Sequence, residues 1–164
     1  MFILSEKSLK ELEGVHPDLV VCVKEAIKIT EIDFGVLEGV RTLELQKEYV
    51  AKGTSWTLDS YHLPQIATGL SHAVDLGAYI DKKIVWNMES YAKIAEAMLK
   101  VSRDRGIELV WGAVWDKELW ELDLKDGLNN DIDAYVARFK AKNNKRPSID
   151  GPHFQLSQKV YKRK

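Results

Sequence analysis

The sequence predicts one α+β domain over residues 1–164, in which helices flank a small antiparallel sheet. The chain has 164 residues, of which 45% are hydrophobic, enough to build one compact core. Two strand-like runs lie only a turn apart around Asp81, which indicates a hairpin rather than a parallel β-α-β unit. Because no linker rich in Pro, Gly or Ser divides the sequence, every element belongs to this domain.

Apolar periodicity and capping residues define the elements. In chain order they are helices over 5–12 and 17–30, a strand over 34–40, a helix over 42–50, strands over 73–79 and 83–86, a helix over 87–105, a strand over 107–111, a helix over 132–139 and a strand over 153–156. Pro17 suits a first helical turn, whose N–H groups have no helical partner. Thr42 and Asn87 can cap helices, and Gly106 can end one. The acidic run 116–133 has neither period nor the spacing of a Ca²⁺ loop, so we predict a solvated loop there.

Charge is unevenly distributed along the chain. The formal net charge is −1, but residues 138–164 carry nine Lys and Arg against Asp150 alone, whereas residues 1–137 carry 15 against 24 acids. The balanced total argues against a nucleic-acid partner. Cys22 is the single cysteine, which excludes an intramolecular disulfide and a Cys-cluster metal site. No apolar run approaches the roughly 20 residues that span a bilayer, so we expect a protein made in the cytoplasm, without membrane insertion.

Three segments place possible metal ligands beside apolar strand residues: 60–62, 72–75 and 150–153. Because strand side chains alternate, His153 faces away from its apolar neighbour Phe154, and Asp75 faces away from His72 if that strand is regular. Two imidazoles and one carboxylate form the ligand set of hydrolytic zinc sites, which leave a fourth position open for water. A lone histidine beside a strand can equally be a hydrogen-bonded spacer, so the residues alone leave both interpretations open.

The same segments resemble a known family. Residues 60–62, 69 and 73–75 resemble the SxHxxGxAxD motif of zinc peptidases of the VanY/D-alanyl-D-alanine carboxypeptidase type, and the run DGPH at 150–153 resembles their second motif. The runs LEGVHPDL at 12–19, DF at 33–34 and EGVRT at 38–42 resemble the phage endolysins of this family, which cleave the L-alanyl-D-glutamate bond of peptidoglycan stem peptides. The resemblance covers residues 12–156 and implies a Hedgehog/DD-peptidase-like fold.

The resemblance also implies a mechanism. His62, Asp75 and His153 would hold Zn²⁺, which polarises the scissile carbonyl and lowers the pKa of the attacking water. Asp150 would act as the general base and return the proton to the leaving amine. The protein would be a monomer that waits in the host cytoplasm and acts on the cell wall after the membrane is permeabilised, without a separate wall-binding domain.

Two further residues are candidates for substrate binding. Arg41 can offer a planar fork to a stem-peptide carboxylate, although a surface salt bridge is the alternative. Ser60 can orient the site by hydrogen bonding, or merely close the loop. The basic stretches 138–146 and 159–164 are expected to attract anionic cell-wall or outer-membrane polymer.

Three other functions stay open at this level. A D-alanyl-D-alanine carboxypeptidase would use the same site. A non-catalytic zinc-binding module would keep the metal only for stability and partner binding. A nucleic-acid binder is the weakest alternative, because only the basic charge of residues 138–164 favours it.

The chain departs from the family pattern in two places. Asp75 follows His62 by 13 residues instead of seven, and Ser71 stands where the motif has glycine. The insertion makes His72 a rival for the first ligand position, but its odd separation from Asp75 favours His62. Within the run WGAVW at 111–115, Val114 replaces the aspartate of the family's WGGDW segment.

Overall fold

A five-stranded antiparallel sheet organises the structure, a computed structural model that describes residues 1–123 and 127–164. In chain order the elements are α1 (Glu6–Glu11), α2 (Pro17–Ile29), β1 (Asp33–Glu38), α3 (Leu43–Ala51), β2 (Ala73–Ile80), β3 (Lys83–Val85), α4 (Met88–Arg105), β4 (Leu109–Trp111), a 3₁₀ turn (Leu119–Glu121), α5 (Leu128–Asn143) and β5 (His153–Leu156). None of the helices in the described ranges is long and apolar enough to cross a membrane. The predicted α+β class is confirmed.

The sheet is built around β2. Its strand order is β1-β2-β5-β4, and β3 pairs with the far end of β2, Ile80 lying opposite Lys83. Asp81 and Lys82 connect these two strands with φ values of 50° and 63°. Two successive residues with positive φ match the right-handed twist of a tight hairpin, as the predicted turn around Asp81 requires.

The hydrophobic core lies on one face of the sheet. Val74, Leu76 and Ala78 alternate along β2 and are fully buried on this face, which α4 covers with α2 packed beside it. On β5, the ring of Phe154 stacks on that of Trp111 with centroids 6.3 Å apart. The residues between these core positions therefore point to the opposite face, which carries the candidate site.

The prediction for the acidic run was wrong in part. The 3₁₀ turn lies within it, and α5 begins at Leu128 rather than near Ile132. Leu128 and Ile132 are both buried, one helical turn apart. The polar residues between them obscured this short apolar stripe. Residues 124–126 of the run lie outside the described part of the chain.

Candidate active site

Asp75 and His153 meet because of strand register. Asp75 on β2 pairs directly with His153 on β5, so both side chains project from the face opposite the core. The Asp75 Oδ1 atom lies 3.1 Å from Nδ1 of His153. The sheet itself thus fixes two of the three predicted ligands.

His62 reaches the same point from the loop between α3 and β2. Its Nε2 atom lies 3.3 Å from Asp75 Oδ1 and 3.3 Å from His153 Nδ1. The backbone N–H of Arg41 donates to the carbonyl of His62 at 2.9 Å, and the His62 N–H donates to the Ser60 hydroxyl at 3.2 Å. Within the described residues, this is the one cluster of three His, Cys, Asp or Glu side chains able to share a metal ion.

Two hydrogen bonds determine which ring nitrogens carry protons. Nδ1 of His62 lies 2.8 Å from the carbonyl of Gly39, which only accepts, so this nitrogen is the donor. Nε2 of His153 donates to Oε1 of Gln155 at 2.9 Å. When both rings are neutral and carry those protons, each imidazole directs an unprotonated nitrogen at the carboxylate of Asp75. In that state three electron-pair donors face one another, an arrangement that a cation between them would stabilise.

The spacing of these donors fits zinc. Tetrahedral zinc with ligand bonds of about 2.0–2.1 Å separates neighbouring ligand atoms by about 3.3 Å. The observed separations are 3.1–3.3 Å. Burial alone would raise the pKa of Asp75, but His62 and His153 lower it well below its usual range. Burial alone would lower the pKa of His153, but the contact with Asp75 raises it above its usual value. The three side chains are thus electrostatically coupled.

Asp150 lies beside this cluster on the turn before β5. Its N–H donates to the carbonyl of Gly112 at 2.9 Å, and its carbonyl accepts from the His153 N–H at 3.2 Å. A Cβ at Gly112 would lie 2.2 Å from the Asp150 carbonyl oxygen, so the close approach of these segments requires glycine. Asp150 is exposed to solvent, yet the protein atoms around its carboxyl group partly desolvate it and raise its pKa.

Arg41 is buried, and Glu38 holds its planar fork. Nε and Nη2 of Arg41 donate to the two carboxylate oxygens of Glu38 at 2.7 and 2.6 Å, and Nη1 donates to Gln46 at 2.7 Å. A β-bulge between Val36 and Glu38 places Glu38 opposite Asp75, on the site face instead of the core face. Nη2 of Arg41 also lies 4.0 Å from Asp75 Oδ2. The salt-bridge alternative for Arg41 is thus present, but Arg41 is buried and Glu38 is half-buried, so the pair does not lie on the surface. Its partner Glu38 was not anticipated from the sequence, although the spacing of three residues was a visible signal.

A cleft with a cavity of about 1110 Å³ opens over the cluster. Ser60, Arg41 and Asp150 line it together with the three possible ligands. Aromatic and basic side chains contribute to its walls: Trp56, Tyr61, Trp115, Tyr135, Phe139 and Arg146. Trp56 is 89% exposed, and the ring of Trp115 lies 5.3 Å from that of His153.

His72 lies outside the cluster. It is fully buried, its Nε2 atom is 2.8 Å from the Thr68 hydroxyl, and its ring meets that of His16 edge-on at 5.2 Å. His72 directly precedes β2, and its side chain lies away from that of Asp75, as the odd separation between them predicts. Val114 is also fully buried and forms a β-bridge with Trp111, so the position offers no charge to the cleft.

The fold and the site together define a class of protein. A small antiparallel sheet presents Asp75 and His153 beside a loop histidine, His62, at the floor of an open cleft, an arrangement typical of hydrolytic metal sites. A family model described as phage L-alanyl-D-glutamate peptidase matches residues 1–157. The chain belongs to this family.

Two relatives support this assignment. The L-alanyl-D-glutamate peptidase of Escherichia phage T5 is 32% identical over 116 residues, which cover 70% of this chain and 82% of the phage T5 protein. The crystal structure of the Serratia marcescens L-Ala D-Glu endopeptidase ChiX is similar with a TM-score of 0.70 and 33% identity. That similarity covers 97% of this chain and 93% of ChiX. The family inferred from the sequence motifs is confirmed.

Proposed function

We propose that this protein is a zinc-dependent endopeptidase that hydrolyses the L-alanyl-D-glutamate bond of peptidoglycan stem peptides. The observation that carries the proposal is the meeting of His62, Asp75 and His153 at 3.1–3.3 Å on the floor of the cleft. Membership of a family described by that activity supports the choice of bond. The bacterial cell wall is the corresponding site of action.

In this mechanism, the three side chains hold the metal, and each is oriented by the fold. A bound zinc ion supplies a Lewis acid for the scissile carbonyl and lowers the pKa of the attacking water. Gly39 and Gln155 keep the unprotonated nitrogens of His62 and His153 directed at the metal. The buried Arg41 stabilises the negative charge of Asp75 from 4.0 Å.

Asp150 provides the proton transfer. Its carboxylate lines the cleft beside the cluster, and its position on a turn anchored to Gly112 limits its movement. It takes the proton of the attacking water and delivers it to the amine of D-glutamate when the peptide bond breaks. A raised pKa suits a group that must both accept and donate this proton.

The cleft also offers groups for the carboxylates of a stem peptide. Arg41 and Ser60 line it and stay our proposed substrate contacts. Because Glu38 occupies the fork of Arg41, this residue would contact substrate through its remaining N–H groups. Lys145 and Arg146 are exposed on the cleft wall and can attract acidic groups from further along the peptide.

Digestion of purified murein tests the proposal. Mass spectrometry of the products should show peptides that begin with D-glutamate, and metal analysis should find one zinc per chain. Chelation should abolish the cleavage, and added zinc should restore it. Release of single D-alanine residues would instead establish a carboxypeptidase, and zinc binding without any cleavage would establish a binding module.

A further inference from the structure

The segment 157–164 follows β5 and lies across the loop that carries His62. The Ala67 N–H donates to the carbonyl of Arg163 at 3.1 Å, and the hydroxyl of Tyr61 donates to Gln158 Oε1 at 3.1 Å. The guanidinium of Arg163 donates to Asp59 Oδ1 at 2.9 Å and lies over the Tyr61 ring, 3.7 Å from its centroid. Tyr61, which directly precedes His62, is thus held at both its ring face and its hydroxyl.

Gln65 connects this segment to the backbone around His62. Its side chain is buried, at 5% exposure, and its amide nitrogen donates to the carbonyls of Ser60, Tyr61 and Leu63 at 3.1, 3.3 and 2.5 Å. Two of these carbonyls belong to the residues on either side of His62. Nε of Arg163 donates to the amide oxygen of Gln65 at 2.6 Å, which orients the amide nitrogen toward the carbonyls.

The two other possible ligands have no comparable need for support. Asp75 and His153 are paired within the sheet. His62 lies in a loop that is six residues longer than the family motif, and a longer loop has more conformations to lose when it is ordered. A ligand in such a loop must be held by tertiary contacts if the site is to be preorganised.

We propose that Arg163 is a positioning residue for His62 and sets the metal affinity of the site through Gln65 and Tyr61. This inference rests on the proposed function, because it takes His62 as a ligand. The planar fork of arginine serves Gln65 and Asp59 together while its face stacks on Tyr61, a combination that lysine cannot reproduce. Loss of an outer contact to a metal ligand typically weakens metal binding about 10–100-fold.

The test compares Arg163→Ala and Arg163→Lys with Lys162→Ala, an exposed neighbour of the same charge. Metal affinity is measured by competition with a chromophoric chelator, and the absorption spectrum of the cobalt-substituted protein reports ligand geometry. We expect both Arg163 variants to bind Zn²⁺ and Co²⁺ about 10–100-fold more weakly, with an altered cobalt spectrum. Lys162→Ala should have the metal affinity and the cobalt spectrum of the wild type.

Gln65→Leu provides an independent variant of the same pathway. It should weaken metal binding similarly, and the double variant with Arg163→Lys should lose less than the sum of the two single changes, because both act on one contact. Thermal melts of the metal-free variants separate local from global effects. If Arg163→Ala does not fold, Arg163→Lys and Gln65→Leu still decide the question.

Wild-type affinity and an unchanged cobalt spectrum in folded Arg163→Lys would overturn the inference. An equal loss of metal affinity in Lys162→Ala would also overturn it, because the effect would then come from the positive charge of the segment and not from the contacts of Arg163. Failure of the wild-type protein to bind metal or cleave murein would overturn the proposed function itself, which makes the two failures distinguishable.

Discussion

Asp75 on β2 and His153 on β5 are direct cross-strand partners, with Oδ1 and Nδ1 3.1 Å apart. Antiparallel register therefore sets the positions of two of the three proposed metal ligands. The third participant, His62, depends on loop contacts instead. The sheet therefore positions Asp75 and His153, whereas the position of His62 depends on tertiary packing of its loop. Substitutions can test each part of the site.

The first prediction distinguishes the two candidate histidines. His62→Ala should abolish zinc retention and hydrolysis, because one of three protein ligands is lost. His72→Ala should keep the metal and most of the activity, because this side chain bonds to Thr68 and packs against His16 on the other side of the strand. Metal content after dialysis and murein turnover measure the effect, with circular dichroism as the folding control. Zinc lost with His72 and retained without His62 would refute the assignment.

The second prediction concerns Gln155, whose Oε1 atom accepts a hydrogen bond from the Nε2–H of His153 at 2.9 Å. Gln155→Leu keeps the size of the side chain but removes the acceptor, so zinc affinity should fall about 10–100-fold. Gln155→Glu keeps an oxygen that can accept this hydrogen bond, so it should retain zinc affinity. Isothermal titration of the metal-free proteins with zinc would reveal the difference. Equal affinities for the Leu variant and the wild type would show that this bond does not orient the ring.

The third prediction assigns the proton transfer. Asp150→Asn preserves shape and removes the basic carboxylate, so kcat should fall about 10²–10⁴-fold while metal content and the fold stay unchanged. Initial rates on purified murein, with zinc analysis of each sample, measure the change. A rate within a few-fold of the wild type would exclude Asp150 as the general base. Zinc retention by an inactive variant would also separate catalysis from metal binding.

The fourth prediction is a pH dependence of stability due to His72. Burial, with the nearby His16 and Arg163, lowers the pKa of His72 to about 4 in the folded protein. The ordinary value of about 6.5 applies to the unfolded chain. Between these values the unfolded chain binds more protons, so folding stability falls as the pH drops from 6.5 to 4, by up to about 3 kcal/mol.

Urea unfolding of the metal-free protein at several pH values between 4 and 7 would measure this dependence. His72→Gln keeps a hydrogen-bonding group near Thr68 but does not titrate, so its unfolding free energy should vary less across the range. Parallel curves for the two proteins would show that another group causes the acid sensitivity. Because His72 is not one of the proposed zinc ligands, the zinc-loaded His72→Gln variant should keep its metal.

The features that the sequence determined by itself are local ones. The turn at Asp81 and Lys82 follows from two strand-like runs too close together for a crossover. Period two along a strand was enough to place His153 and Gln155 on one face of β5 and to separate Asp75 from His72. The paired motifs were specific enough to indicate the family, which the match over residues 1–157 confirms. Each inference depends on backbone geometry or motif spacing within a short segment.

The tertiary structure alone decided how those segments meet. The register that places Asp75 opposite His153, the bulge that places Glu38 on the same face, and the position of Arg163 over Tyr61 all depend on contacts between segments distant in the sequence. Arg41 illustrates the difference: the sequence offered a substrate contact or a salt bridge, and the fold shows the salt bridge, with Glu38 as its partner, while the substrate contact stays a proposal. Periodicity specifies the face on which a side chain lies, but register and loop position depend on packing between distant segments, which no local pattern encodes.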